Sequence, residues 1–263
     1  MTGVANLVAN GYLIAGTSWL HRRHPMTKLV GILFILAAAF LLSPTALVPL
    51  ATALLAIAIS AGLGRPLVRS LRIPAVLVLS ILLVNALFFP GGTDVLVHVG
   101  PLTVTREGLT FGVVSAGRLL VVFVGLMLVL FTTLPDDLIE GLVARGVDHR
   151  IAFVMLSAVQ SVPRMQDRAA RILDAQAARG LAVDGSIAAR TRALIPLVGP
   201  VVLSAIVDVR ERTFALEARG FGARPGRTAY RVVEDTSLDR VLRLTLLAGT
   251  GLVVLVALAG LVR

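Results

Sequence analysis

Five long apolar runs constrain the fold of this chain more than any other feature of its sequence. They cover Thr27–Ser43, Thr45–Leu63, Ile73–Phe89, Gly108–Phe131 and Arg240–Val262. A helix that crosses a bilayer needs about 20 mostly apolar residues, within a range of roughly 17–25. Apolar residues make up 57% of the chain, whereas a soluble domain has about 45–50%. The sequence therefore predicts an all-α polytopic membrane protein with about five transmembrane helices.

Other apolar stretches are too short or too interrupted to cross a bilayer. Ile151–Val162 and Ala193–Val207 are bounded or broken by prolines, and we predict buried or interfacial helices there. The N-terminal segment, residues 1–26, contains Asn6 and Asn10 and is predicted to be cytoplasmic or interfacial. Its first twenty residues have no basic start and no small-residue cleavage site, so we expect no cleavable signal peptide.

The basic residues of the short loops predict the orientation. One side of the predicted membrane receives Arg22, Arg23, Lys28, Arg65, Arg69 and Arg72, and the other receives Arg106 and Arg263. Because cytoplasmic loops carry an excess of Lys and Arg, the N-terminus is expected in the cytoplasm. Five spans then place the C-terminus outside a cell membrane.

The charged residues divide the chain into four parts. The segment 132–237 holds 14 arginines and 12 of the 15 acidic residues, which predicts a cytoplasmic helical domain inserted before the last span. The expected parts are residues 1–26, four transmembrane helices in 27–131, the insert 132–237, and a last transmembrane helix in 238–263. Acids nearly balance bases in the insert, which argues against a nucleic-acid partner.

Several classes of chemistry lack their motifs. There is no cysteine, and Lys28, the single lysine, is followed by Leu29 rather than by the Ser or Thr of a phosphate-binding loop. The chain also lacks the His-Glu-x-x-His motif of a membrane metalloprotease, and we favour surface or interfacial positions over a metal site for His21 and His24. We therefore predict no catalytic residue, no metal and no cofactor on this chain, so any ATP-driven work needs a partner. A membrane enzyme without a recognisable motif is the alternative from another class.

The insert is predicted to contain a short helix and two long ones, each ending at the tripeptide Ala-Arg-Gly. The short helix starts at Pro135 and ends at 144–146, and the long ones cover about Arg150–Ala178, bent near Pro163, and about Ile187–Ala218. Within the first long helix, the spacing makes Asp167 and Arg171, and also Arg164 and Arg168, neighbours one turn apart. The two long helices end at Arg179 and Arg219, which could be presented as a pair.

Each Ala-Arg-Gly has two interpretations. Glycine after a helix adopts the left-handed cap conformation easily, and a cation in the last turn meets the negative end of the helix dipole. An arginine at an exposed helix end can also offer its planar group to a carboxylate of a partner. We assign only the capping role to Arg145, because Glu140 and Asp148 are nearby in the sequence.

These residues resemble the transmembrane T component of energy-coupling factor transporters, the group that includes the membrane subunits of cobalt and biotin importers. The resemblance covers roughly His24 to Tyr230. The strongest marks are Ala175–Gly180 and Glu217–Gly222, which look like the family's two Ala-Arg-Gly signatures. Supporting marks are Glu107-Gly108-Leu109, Arg118, Thr132–Leu142, Pro163 and Arg227-Thr228.

The resemblance implies a non-catalytic subunit between two kinds of partner. Two cytoplasmic ABC ATPases, which use ATP and Mg, would receive the signature arginines Arg179 and Arg219. A membrane-embedded S component, which binds the vitamin or transition-metal ion, would be gripped by the membrane helices and held by the helix Ala193–Val207. The implied coupling residues are Ala178, Arg179, Gly180, Ala218, Arg219 and Gly220, with Glu217, Gln176 and Arg118 in support.

Two departures from the family pattern are visible. The family often has an acidic residue before the proline that starts the first span, where this chain has His24, and it often has arginine near Gln160. A conventional ABC permease subunit is the alternative from the same class. It matches poorly, because Gly180 follows Ala177-Ala178 too soon and Ile195-Pro196 lies fifteen residues further on.

Overall fold

The computed structural model describes residues 16, 18–90, 94–99, 102–180, 187–221 and 234–261. These residues form nine α-helices, one short 3-10 helix and a two-stranded sheet. They fall into two compact units, which we call the membrane unit (16–141 and 234–261) and the insert unit (142–180 and 187–221). Most of the predicted N-terminal segment, residues 1–15 and 17, lies outside the described residues.

A helix occupies most of each of the five predicted apolar windows. The helices of the membrane unit, in chain order, are α1 (Pro25–Leu41), α2 (Leu47–Ser60, preceded by the 3-10 turn Pro44–Ala46), α3 (Gly64–Ser70), α4 (Arg72–Phe88), α5 (Arg106–Thr132), α6 (Pro135–Val143, which continues into the insert unit) and α9 (Ser237–Leu261). The small sheet does not change the class, and the prediction of an all-α membrane protein is confirmed.

The described helices differ in how well they suit a bilayer. Two of them, α5 and α9, are long and apolar enough to cross a membrane by themselves. A third candidate span is formed by α3 and α4 together, which are bent by 51° at the break between them. The apolar segments Pro25–Leu41 and Pro44–Ser60 are shorter, at 17 residues each. A total of five crossings stays a prediction.

Two elements were not predicted. Helix α3 lies where the sequence indicates only a basic loop. Leu63 and Leu67 are one turn apart and buried, whereas Arg65 and Arg69 are one turn apart and less buried. The segment therefore has one apolar side that packs into the core, which is why it forms a helix. The strands β1 (Val95–Val99) and β2 (Leu102–Thr105) pair antiparallel between the predicted apolar windows Ile73–Phe89 and Gly108–Phe131. Their alternating Val, Leu and Thr residues on either side of Gly100-Pro101 are the signal for a hairpin.

The core of the membrane unit is built around α5. Residues of α1, α2, α3 and α5 form one cluster of buried side chains that includes Ala39, Leu54, Leu67 and Leu128. On another side α5 packs closely on α4 at Gly108, where an added Cβ atom would lie 2.5 Å from the Asn85 carbonyl oxygen. Small residues allow helix backbones to approach in this way, and such approaches hold membrane helices together.

The insert unit consists mainly of two long helices. They are α7 (His149–Ala178) and α8 (Ile187–Ala218), with bounds close to the predicted ones. Asp148 caps the start of α7, since its side chain accepts a hydrogen bond of 2.7 Å from the Arg150 backbone N–H. Pro163 lies inside α7. The loop between the two helices, residues 181–186, lies outside the described residues.

Candidate functional site

All three Ala-Arg-Gly tripeptides end a helix in the same way. Gly146, Gly180 and Gly220 follow α6, α7 and α8, and their φ angles are +97°, +91° and +69°. Among the described residues, only Gly62 also has a positive φ angle, and no residue other than glycine has one. Glycine adopts this left-handed conformation without the steric cost of a Cβ atom. The tripeptides are therefore helix caps, as the capping interpretation predicts.

The hydrogen bonds of the caps identify the motif. At the end of α8, the Gly220 N–H donates to the Glu217 carbonyl (2.9 Å) and the Phe221 N–H donates to the Leu216 carbonyl (3.0 Å). This pair of bonds is typical of the Schellman motif. The Gly180 N–H makes the first of these bonds with the Ala177 carbonyl (2.9 Å), and the Arg179 N–H donates to the Gln176 carbonyl (3.0 Å). The cap thus fixes the backbone on which each arginine stands.

The three arginines differ in their surroundings. Arg179 and Arg219 are exposed, as are Ala178, Ala218 and Glu217. Within the described part of the chain, neither Arg179 nor Arg219 has an ion pair or a side-chain hydrogen bond. Arg145 is exposed as well, but it has an interaction partner within the chain.

Helices α7 and α8 run antiparallel, which separates the two arginines. The ring of Phe221, just after α8, lies 4.8 Å from the ring of Phe153 near the start of α7. Further along α7, Arg168 contacts Asp208, which comes earlier on α8. The residue number rises on one helix as it falls on the other, so the helices are antiparallel. Arg179 and Arg219 consequently lie at opposite ends of the pair.

An ion pair joins the two helices near their middle. The Arg168 Nη2 atom donates to the Asp208 Oδ2 atom at 2.6 Å, and Arg168 Nη1 donates to the Ser204 carbonyl at 3.0 Å. Burial lowers the pKa of the neighbouring Arg164, and the positive charge of Arg212 on α8 lowers it further. The sequence spacing predicts that Arg168 is a neighbour of Arg164, but it does not identify Asp208 as the ion-pair partner of Arg168. The available signal is that Arg168 and Asp208 carry opposite charges and are separated in the sequence by the same interval as Arg179 and Arg219.

Comparisons with known proteins agree with the resemblance described above. A family model, CbiQ, cobalt transport protein, matches residues 16–230. The chain belongs to the CbiQ family. Three similar relatives are energy-coupling factor transporter transmembrane proteins EcfT. That of Listeria innocua is 30% identical over 92% of this chain and 95% of its own length. That of Lacticaseibacillus paracasei is 32% identical over 93% and 97%, and that of Heliobacterium modesticaldum is 32% identical over 87% and 90%.

As a member of the CbiQ family, the chain is a transmembrane component of an energy-coupling factor transporter, and so a transporter subunit in a membrane. The transmembrane character agrees with the apolar helices α5 and α9. Among the described residues, no group of three or more His, Asp or Glu side chains is placed to hold a metal ion.

The structure explains why this chain can have His24 before Pro25, where the family often has an acidic residue. His24 caps α1, because its Nδ1 atom accepts a hydrogen bond of 3.2 Å from the Met26 backbone N–H. An acidic side chain before Pro25 would accept the same bond, since Asp is a preferred N-cap residue. The imidazole therefore replaces a carboxylate at this position without loss of the cap.

A buried polar cluster joins the ends of three membrane helices, and the sequence reasoning missed it. We call the following residues the boundary cluster: His24, Thr27, Lys28, Thr132 and Asp239, each at most 7% exposed. Lys28 Nζ donates to the Thr132 carbonyl at 2.7 Å, which links α1 to α5. The His24 N–H donates to Asp239 Oδ1 at 3.3 Å, which links the start of α1 to α9. The cluster thus joins the end of α5 and the start of α9 to the start of α1.

Arg118 lies near the middle of α5, a helix long enough to cross the membrane. Its Nε atom is buried and has no hydrogen-bond partner among the described residues. The preceding residue, Gly117, lines a cavity of about 380 Å³ whose lining residues are all apolar, among them Leu54 and Val113. The structure places Arg118 in the membrane unit and Arg179 and Arg219 in the insert unit.

Proposed function

We propose that this chain transmits ATP-driven conformational change from two cytoplasmic ABC ATPase subunits to a membrane-embedded S component, for uptake of a vitamin or a transition-metal ion. Arg179 and Arg219 bind carboxylates of the ATPases. The alanines and glycines beside them, Ala178, Gly180, Ala218 and Gly220, shape their presentation, and Gln176 and Glu217 contribute to the helix ends. ATP and Mg belong to the ATPases, so this chain catalyses no reaction of its own.

The surroundings of the two arginines carry this proposal. Each stands at a capped end of a long helix, exposed and without an ion-pair partner among the described residues. An arginine on a fixed backbone loses less freedom when it binds a carboxylate than one on a mobile loop, and its planar group favours two-point contact. The antiparallel arrangement supports two separate ATPase subunits, one at each end.

The exposed apolar side chains of α8 support contact with an S component. One short part of the helix carries four apolar side chains that are 47–65% exposed: Val198, Val202, Leu203 and Ile206. Exposed apolar groups in such a number are typical of a surface that binds a partner. On this proposal the S component covers them, and Arg118 supports the membrane unit that grips it.

The orientation belongs to the same proposal. The basic residues Arg65 and Arg69 lie on the short helix α3, and cytoplasmic positions suit them under the positive-inside bias. The N-terminus and residues 132–237 are then cytoplasmic, where ATP is available, and the C-terminus is outside.

The test is a double charge reversal, Arg179→Glu with Arg219→Glu, in the complete transporter. Reversal places like charges against the ATPase carboxylates, so we expect ATPase association to weaken at least about tenfold and uptake to be lost. Association is measured by co-purification of the ATPases from membranes, and uptake by accumulation of the labelled substrate of the cognate S component.

Arg145→Glu is the matched control, because Arg145 stands before the same type of cap. It should insert, associate with the ATPases and support uptake like the unmodified chain. Full uptake by the double variant would contradict the proposal.

A further inference from the structure

Helices α7 and α8 repeat the same features at a constant offset in the sequence. Ala178-Arg179-Gly180 corresponds to Ala218-Arg219-Gly220, and both glycines adopt the same left-handed conformation. At this offset Arg168 corresponds to Asp208. These are the two residues that form the ion pair between the helices. A residue therefore contacts its own counterpart.

Contact between counterparts is the mark of a two-fold axis. In a two-fold arrangement, if residue i contacts j then j contacts i, and a residue meets its own equivalent only at the axis. The antiparallel direction of α7 and α8, shown by Phe153 with Phe221 and by Arg168 with Asp208, fits a two-fold axis perpendicular to the two helices. The Arg168–Asp208 pair thus marks the centre of an approximate two-fold arrangement within the insert unit.

The two signature arginines are equally far from this centre. Arg179 follows Arg168 on α7 at the same interval at which Arg219 follows Asp208 on α8, and this interval is about three helical turns. A helix rises about 1.5 Å per residue, so each arginine lies about 16 Å from the centre along its helix, in opposite directions. Their backbones are therefore roughly 30–35 Å apart.

The ion pair restricts sliding of the two helices along each other. Arg168 donates both to the Asp208 carboxylate and to the Ser204 carbonyl one turn earlier, so its position along α8 is fixed by two bonds. The side chains are 26% and 42% exposed, which leaves the pair partly shielded from water. Slippage by one helical turn would break both bonds and move one arginine about 5.4 Å relative to the other.

We propose that the Arg168–Asp208 ion pair is a positioning element that fixes the distance between Arg179 and Arg219 to match two equivalent carboxylate sites on a two-fold related pair of partner subunits. The inference rests on the proposed function for the identity of the partner. The fixed distance itself is a property of this chain alone. Two linked contacts strengthen each other by a factor of roughly 10² or more only when the geometry lets both form at once.

The distance is measured by pulsed electron spin resonance on the full chain in lipid nanodiscs. The chain has no cysteine, so Ala175→Cys with Ala215→Cys introduces two spin labels at counterpart positions and leaves both Ala-Arg-Gly tripeptides unchanged. Both alanines are exposed, and their backbones should be roughly 20–25 Å apart. We expect one narrow distance distribution in this parent chain.

Asp208→Asn should broaden or shift that distribution, and the exchanged pair Arg168→Asp with Asp208→Arg should restore it. Glu211→Gln is the matched control, an exposed acidic residue one turn further along α8, and should leave the distribution unchanged. An unchanged distribution in Asp208→Asn would overturn the inference, as would failure of the exchanged pair to restore the distance.

The same variants in the complete transporter test the consequence. Asp208→Asn should weaken ATPase association on the order of tenfold to a hundredfold, with recovery in the exchanged pair. The spin-label measurement needs no ATPase. The predicted change in distance can therefore be absent while the charge reversal at Arg179 and Arg219 still abolishes uptake. The two proposals are therefore tested separately. Unchanged ATPase association in a variant whose distance has shifted would also overturn the inference.

Discussion

Gly146, Gly180 and Gly220 end three helices with one backbone conformation, yet the arginines before them have different surroundings. Arg145 has a partner within the chain, whereas Arg179 and Arg219 have none among the described residues. The tripeptide and its cap could be predicted from the sequence, because glycine and the preceding helical residues determine them locally. The partners of each arginine could not, since they depend on which residues the fold brings near.

At the residue scale, the cap itself can be tested at Gly180. A Cβ atom added there would meet nothing within 4 Å, so Gly180→Ala imposes only the backbone cost of a positive φ angle, roughly 1 kcal/mol. The end of α7 should fray and hold Arg179 less firmly. We expect uptake to fall by up to about fivefold, the factor that corresponds to about 1 kcal/mol, together with a lower midpoint of thermal unfolding for the insert unit.

Gly146→Ala provides the comparison, because its φ angle is +97° and an added Cβ atom there also has open space. It should cost a similar amount of stability and leave uptake unchanged. Equal loss of uptake in both variants would show that the cap at Gly180 has no special role.

At the scale of elements, the sequence predicts long apolar helices well and short elements poorly. The bounds of α5, α7 and α8 differ from the predicted bounds by only a few residues, because long periodic or apolar segments carry their own signal. Helix α3 was missed, since its burial rests on two residues, Leu63 and Leu67, within a basic segment. The Arg168–Asp208 pair was missed for a related reason: it joins different helices, and helical spacing reports only neighbours on one helix.

The contact between α4 and α5 gives a test at this scale. An added Cβ atom at Gly108 would lie 2.5 Å from the Asn85 carbonyl and 2.8 Å from Phe89 Cβ, so Gly108→Val must push the helices apart. We expect a destabilisation of about 1–3 kcal/mol, typical of overpacking. The midpoint of thermal unfolding in detergent measures it.

Gly117→Ala on the same helix is the control. The nearest atom to its added Cβ, Leu47 Cδ1, is 3.8 Å away, an ordinary contact distance. The control variant should unfold near the midpoint of the parent chain. A Gly108→Val variant as stable as the parent would mean that α4 and α5 do not need this close approach.

On the scale of the whole molecule, the boundary cluster joins the end of α5 and the start of α9 to α1. Thr132 ends α5, and Asp239 lies in the first turn of α9. Both are bonded to α1 and its cap, through Lys28 and His24. The end of α5 and the start of α9 are therefore anchored to one helix, which ties residues that are more than 100 positions apart in the sequence.

The buried position of Lys28 also makes the chain a chemical reporter of its own folding. Lys28 is the single lysine of the sequence and is 7% exposed, so an amine-reactive ester can modify only this side chain and the amino terminus. We expect the side chain to react slowly in the native protein and rapidly after denaturation, with mass spectrometry of the peptide that contains residue 28 as the measurement. A Lys28→Arg chain supplies the background from the amino terminus, and rapid acylation of native Lys28 would contradict its burial. Acylation of this one side chain thus reports, in intact membranes, that the junction between α1 and α5 has opened in a given chain.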